Sequence, residues 1–318
     1  MRAYSRSVSV FVMLTIMVVV SSADAIETGK IRKSPLAGSW YPSDPGELRK
    51  MLENYLDRAK LPKIGGKVWA IISPHAGLKW SGQAAAYGFK TIVGRDIDRV
   101  VIIGPSHYAR YKGICVSHYD FYETPLGLIP VEKDVGTTLL QNKLFVEKSG
   151  VEDREHSLEI EIPYLQLLLK EFKIIPLIVG TLDEKDYAEA ASAIAPFITE
   201  KTLVIASSDF THYGYRFRYV PFKDNIKANI EKLDKKAVDH ILKKDFGGFF
   251  KYVEDSDITI CGQRPIGVLL KLLSREDEGM LLDYYTSGDL LNDYTSSVSY
   301  VSLIFKMPVL EIIKKKRN

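Results

Sequence analysis

The chain alternates short apolar runs with longer amphipathic stretches. "VWAIIS" (68–73), "RVVIIG" (99–104), "KIIPLIVG" (173–180) and "TLVIAS" (202–207) carry apolar residues at consecutive positions rather than at every second one. A strand covered on both faces has this pattern. Between them the spacing turns helical. Residues 45–59 set Leu48, Met51, Leu52 and Tyr55 on one face, with Ser43 or Asp44 available as a cap. "SGQAAAYGFKTIV" (81–93) offers a small-residue face suited to close packing on a sheet. Further helices are predicted over 134–142, "HSLEIEIPYLQLLLKEF" (156–172), "EKDYAEAASAIAPFI" (184–198), 223–243 and 262–274. "GICVSHYDFYETPLGLIPVE" (113–132) alternates and holds turn residues, which predicts a hairpin. "LLDYYTSGDL" and "SVSYVSLIFK" predict two antiparallel strands at the end of the chain.

Buried strands alternating with helices define an α/β fold with helices on both faces of one sheet. The hairpin and the terminal pair add antiparallel strands, so the sheet is expected to be mixed. No stretch rich in Gly, Ser or Pro separates two units, which gives one domain from residue 26 to residue 318. Residues 1–25 differ in kind. Arg2 and Arg6 precede an apolar run from Val8 to Val20, and "SSADA" follows with Ala23 and Ala25 in an A-x-A arrangement. This is the layout of a secretory signal peptide. The run falls short of the roughly 20 residues a spanning helix needs, so no stable membrane span is expected after cleavage. Export to a periplasmic or extracellular space follows if the signal is used, and a cytoplasmic location otherwise.

The formal charge of the 318-residue chain is +3, of which the leader contributes a net +1. The remainder is close to neutral and presents no broad basic face, so nucleic acid is not an expected partner. The cationic tail "KKKR" (314–317) reads as a solvated terminus. Two cysteines far apart, Cys115 and Cys261, form neither a disulfide scaffold nor a Cys-rich zinc site.

The chemistry gathers at the strand ends. The apolar runs stop on His75, on His107 after Gly104 and Pro105, and on Asp209 and His212. In open α/β sheets, ligands bind beyond the carboxyl ends of the strands. Three of the six histidines stand there. His75 and His107 are candidate metal ligands; Asp209 and His212 are candidates for proton transfer or ligand orientation. Cys261, just before a predicted helix and near Arg264, is a candidate thiolate. Two imidazoles and a thiolate make an open three-ligand site suited to copper, iron or zinc. Each residue also has a structural role open to it: loop histidine, turn-capping Asp, buried small Cys. On the residues alone His156 is structural, because Glu155, Glu159 and Glu161 around it belong at a helix start. His118, His240 and Cys115 are expected to be ordinary.

"LAGSWYP", "SPHAG" with "WSG" after it, "GPSH", "YETPLG", "EHSLEIEIPYLQ", "IIPLIVG", "SSDFTHYG" and "ICGQRPIG" follow one another in this order. Together, from Leu36 to Phe305, they resemble the Memo family, the mediators of receptor-driven cell motility and their microbial relatives. The resemblance implies a fold shared with class III extradiol dioxygenases. It implies a metal site of His75, His107 and Cys261, with Asp209, His212 and His156 beside it, holding copper or iron ahead of zinc. It also implies links to redox chemistry, to phosphotyrosine peptides and, in microbes, to radical-SAM partners (the AmmeMemoRadiSam system, in which such a chain is protein B). A thiolate in place of the dioxygenase carboxylate argues against ring cleavage. Thr211 and Tyr213 depart from the Cys and Trp frequent in the family, and an exported chain would be separated from a cytoplasmic radical-SAM partner. Three functions stay open: a metal-dependent redox protein, a binding module for a small molecule or peptide in the same pocket, and a hydrolase with Cys261 as nucleophile.

Overall fold

A computed structural model describes residues 29–307. The predicted signal segment 1–25 and the basic tail lie outside these residues. In chain order the strands are β1 (Ile31–Arg32), β2 (Lys67–Ser73), β3 (Arg99–Pro105), β4 (Ile114–Val116), β5 (Phe121–Thr124), β6 (Gly127–Pro130), β7 (Phe145–Val146), β8 (Lys173–Val179), β9 (Thr202–Ser207), β10 (His212–Gly214), β11 (Glu278–Thr286) and β12 (Ser296–Met307). The helices are α1 (Pro45–Arg58), α2 (Leu78–Lys90), α3 (Lys133–Leu139), α4 (His156–Glu159), α5 (Ile162–Leu168), α6 (Glu184–Ile194), α7 (Ile226–Leu242), α8 (Phe246–Ser256), α9 (Gln263–Leu272) and α10 (Ser287–Leu291).

The main sheet has nine strands in the order β10-β12-β2-β9-β3-β8-β4-β7, with β11 paired to β12. The four predicted apolar runs form its centre. β2, β9, β3 and β8 are mutually parallel, while β12 runs antiparallel to β2 and β4 antiparallel to β8. The sheet is therefore mixed, and the domain is single.

The two faces of the central strands feed opposite cores. Ala70, Ile72, Val101 and Ile103 pack on one face with Tyr187 of α6, Ile241 of α7, Phe249 of α8 and Leu269 of α9. Val68, Ile71, Val100 and Ile102 pack on the other with Leu48 and Leu52 of α1 and Phe89 of α2. Each such Leu or Ile contributes roughly 1.5–3 kcal/mol by burial. Phe89 stacks on Tyr164 of α5 at 4.8 Å, and the Tyr164 hydroxyl donates to Gly82 O at 2.7 Å. Asp44, rather than Ser43, caps α1 by accepting from Glu47 N at 2.8 Å.

Three expectations change. The predicted hairpin over 113–132 divides: β4 leaves it for the main sheet, and β5 and β6 alone form the hairpin, joined by β1 in a separate three-stranded sheet. The single helix expected over 156–172 is two short ones. Pro163 sits in the first turn of α5, the position where its missing N–H is not needed, so the chain restarts there instead of continuing. An unpredicted helix, α8, follows α7; Gly247 and Gly248 in its first turn obscure it, and Asp245 caps it by accepting from Gly248 N at 2.9 Å. No described helix is long and apolar enough to cross a membrane.

Candidate metal centre

Because β2, β3 and β9 are parallel, their carboxyl ends share one edge of the sheet. His75 follows β2, His107 follows β3, and Asp209 and His212 follow β9. Cys261 arrives from the turn before α9. His75, His107 and Cys261 bring one ligand atom each to within 4.8 Å of the others. The closest pair is His75 Nε2 and Cys261 Sγ, 3.1 Å apart. The two rings meet edge to face at 5.2 Å.

Each histidine has a partner on Nδ1. His107 Nδ1 lies 2.8 Å from Glu155 Oε1, and its main-chain N donates to Glu155 Oε2 at 2.7 Å. His75 Nδ1 lies 2.8 Å from Ser207 Oγ, which donates to Glu161 Oε1 at 2.8 Å. His212 Nδ1 faces two carbonyls, Phe210 O at 2.8 Å and Thr259 O at 3.0 Å, and therefore carries a proton. With Nδ1 as donor, the lone pair falls on Nε2. This arrangement orients an imidazole for a metal.

Burial sets the charge state. His75 is 1% exposed, and desolvation, followed by the nearby His107, His156 and His212, holds it well below the ordinary histidine range. Burial and His107 bring His156 down to about 4. These rings are neutral at physiological pH and free to ligate. Burial pushes the Cys261 thiol well up, and the Asp209 charge adds to this. Burial thus outweighs the helix start and Arg264, which were expected to favour a thiolate: Sγ keeps its proton and lies within hydrogen-bond reach of His75 Nε2 and, at 3.5 Å, of Asp209 O. Asp209 is itself raised by burial, although its Oδ1 accepts from His75 N at 2.8 Å.

His156 lies among the site rings. It stacks on His107 at 4.1 Å, meets His75 at 5.2 Å, and carries Trp40 on its other side at 4.5 Å. With His107 and Glu155 it forms a second cluster of possible ligand atoms, separate from Cys261. The acids around His156 do more than cap a helix. Glu155 does cap α4, accepting from Ser157 N at 3.1 Å, but it also holds His107. Burial alone would raise its pKa; the hydrogen bonds and charge of His107 outweigh that and bring it to about 2. Glu159 pairs with the buried Arg32, whose other nitrogens donate to Glu152 O and Glu155 O at 2.7 Å. This cluster fastens the 152–159 segment, and with it Glu155, to the amino-terminal strand.

Backbone proximity explains the glycine of "GPSH". A Cβ on Gly104 would stand 2.4 Å from Ser157 Oγ, so a larger residue would push α4 off β3. Tyr213, which departs from the Trp frequent in the family, is buried: it stacks on Phe222 and donates to Phe222 O at 2.6 Å. Tyr108 does border the site, 3.4 Å from His156 Nδ1. His118, His240 and Cys115 belong to neither ligand cluster, and both cysteines are free. Glu155, Glu161, Ser207 and Trp40 were not singled out by sequence reasoning. The signal for the two acids was present, since three acids within seven residues of one histidine exceed what a single cap uses.

Fold and site together define a mixed α/β domain that gathers two imidazoles and a thiol at the carboxyl edge of its parallel strands. The chain belongs to the Memo-like protein family, which it matches over residues 32–304. It is 33% identical over 286 residues to Protein MEMO1 of Homo sapiens, covering 85% of this chain and 96% of the human protein. It is 32% identical over 287 residues to a MEMO1 family protein of Nitrosopumilus maritimus (strain SCM1), covering 86% and 99% of the two chains. An uncharacterized protein of Escherichia coli K12, known from its crystal structure, aligns with a TM-score of 0.49 at 10% identity, covering 75% of this chain and 99% of that one.

Proposed function

We propose that the chain is a metal-binding redox protein whose copper or iron ion is held by His75, His107 and Cys261. The observation that carries this reading is the convergence of His75, His107 and Cys261, whose ligand atoms lie within 4.8 Å of one another, with the Nδ1 side of each ring already engaged. Hydroxyl, carboxylate and carbonyl partners engage Nδ1 of His75, His107 and His212, which leaves Nε2 as the available lone pair. Two nitrogens and one sulfur favour copper or iron over harder cations. Such an ion would supply one-electron chemistry and an open position for a small molecule.

The protein groups have distinct tasks in this reading. His75 is neutral and need lose no proton to ligate. Cys261 must lose one, so affinity rises with pH. Asp209, fixed to His75 N, and His212, with Nε2 free, are placed to orient a bound molecule or take its proton. His156, between Trp40 and His107, lines the approach and remains neutral above about pH 4.

The hydrolase reading is weaker on the geometry. The 3.1 Å contact between thiol and imidazole is what a nucleophile needs. But acyl transfer also needs free amide donors, and Gly262 N, next to the thiol, already donates to Ser208 Oγ at 3.2 Å. Burial moreover keeps the sulfur protonated.

The test is metal content. A His75→Ala/His107→Ala double variant should fold, because strand-end loops carry function and the sheet carries stability, yet lose the copper or iron that the unaltered chain takes up. Equal stoichiometric metal in both would sink the assignment.

A further inference from the structure

We propose that Glu161 is a positioning residue of this centre: through Ser207 it holds His75 in the Nδ1-protonated tautomer and so keeps the Nε2 lone pair turned toward Cys261.

The inference follows from counting protons. Ser207 Oγ has one hydrogen and donates it to Glu161 Oε1 at 2.8 Å; the carboxyl's own proton then belongs on Oε2, with Ser73 as the second hydroxyl partner of Glu161. Toward His75 Nδ1, also 2.8 Å away, the hydroxyl can then only accept, so the ring must bring the proton. At the far side of the ring Nε2 lies 3.1 Å from Cys261 Sγ, and in the Nδ1-protonated tautomer it can accept the thiol proton, whose other acceptor is Asp209 O at 3.5 Å. The reverse order, with Ser207 donating to the ring, would place a proton on the atom meant to ligate.

Glu161 has no other evident task. It caps no helix with its side chain, and its hydrogen-bond partners, Ser207 and Ser73, are neutral hydroxyls. A carboxyl at 1% exposure without a cation is costly, and an apolar residue there would be easier to bury. Its contribution is directional. It takes the only proton of Ser207, and no apolar side chain could.

The consequence for metal affinity rests on the proposed metal reading; the tautomer itself does not. The experiment therefore reads both on the full chain, metal-free and then titrated with copper(I), in the wild type, Glu161→Met and Ser207→Ala. Nitrogen-resolved NMR of the imidazoles reports the tautomer, and competition with a copper(I) chelator reports affinity. His75 is expected to be protonated at Nδ1 in the wild type and to shift toward the Nε2-protonated form in both variants. Copper(I) affinity should fall by roughly 10–100-fold, the usual effect of losing an outer-shell partner. A wild-type ring protonated at Nε2, variants that keep the wild-type tautomer, or a shifted tautomer with unchanged copper(I) affinity would each overturn the proposal. If Glu161→Met does not fold, Ser207→Ala decides by the same criteria. A shifted tautomer in a protein whose wild type takes up no copper(I) would sustain the positioning role and defeat the metal reading. Tight copper(I) binding with an unaltered tautomer would do the opposite.

Discussion

Replacing Glu161 with methionine removes a carboxyl that the fold keeps protonated, and the change should appear in stability as a function of pH. Burial, only partly offset by hydroxyl hydrogen bonds, raises the Glu161 pKa from the ordinary 4.5 to about 8, and the neighbouring Asp209 charge adds to the rise. An acid whose folded pKa is raised makes the folded state bind a proton that the unfolded chain releases. Stability is then highest below about 4.5 and declines as pH rises, levelling off above about 8. At about 1.4 kcal/mol per unit the full span is on the order of 5 kcal/mol, and roughly 3 of that falls between about pH 5 and about pH 8. Because Glu161 is fully buried, solvent screening takes little from this figure. Methionine has a similar unbranched shape and does not titrate.

The assay is urea unfolding of wild type and Glu161→Met, both metal-free, at several pH values across that window. Absolute stabilities will move with every titrating group. The difference between the two proteins cancels those that do not couple to Glu161. The variant should gain on the wild type as pH rises, by about 3 kcal/mol over the window, which is a large fraction of a domain's net stability. Parallel curves would refute both the buried, protonated carboxyl and the cost assigned to it. A gain that rises with pH, together with the loss of copper(I) affinity expected above, would identify Glu161 as a residue kept for function against stability.

Two further outcomes are expected. Cys261→Ser should weaken copper(I) more than iron(II) and abolish any sulfur-to-metal absorption band, because a hydroxyl is a harder and poorer donor than a thiolate; paired titrations with optical spectra check this, and equal weakening of both ions counts against sulfur ligation. Gly262→Ala should destabilise the fold by roughly 1–3 kcal/mol and displace the thiol, since the new Cβ would stand 2.5 Å from both Ser207 O and Ser208 Cβ; a melting curve and a metal titration matching wild type would show that this close approach is not required.

The sequence exposed the edge of the site more readily than its depth, for a physical reason. His75 and His107 end runs of apolar residues long enough to be buried on both faces, so topology alone sends them to one side of the sheet. Pattern reading detects such runs because burial acts on many residues at once. Elements of two or three residues, such as β1 and β10, fall below any window, and so does a hydroxyl acting through one proton. Ser207 looks like any serine at the end of a strand, and its importance depends on Glu161 lying 46 positions away.

The same reasoning explains why the "EHSLEIE" acids were read as helix-start residues. Local electrostatics accounts for them fully if the helix is assumed to be long. It is not: α4 and α5 are separate short helices, and the break at Ile160 and Glu161 sets Glu161 apart from the acids of α4. Glu155 turns to His107, Glu159 to Arg32, and Glu161 to Ser207 and thus to His75. One seven-residue segment therefore carries the carboxyl groups that support both histidines in the proposed ligand set. Glu155 stands outside α4 as its extended N-cap, Glu159 closes α4, and Glu161 lies in the break before α5, so the three acids leave the chain in different settings and this short stretch serves two strands at once.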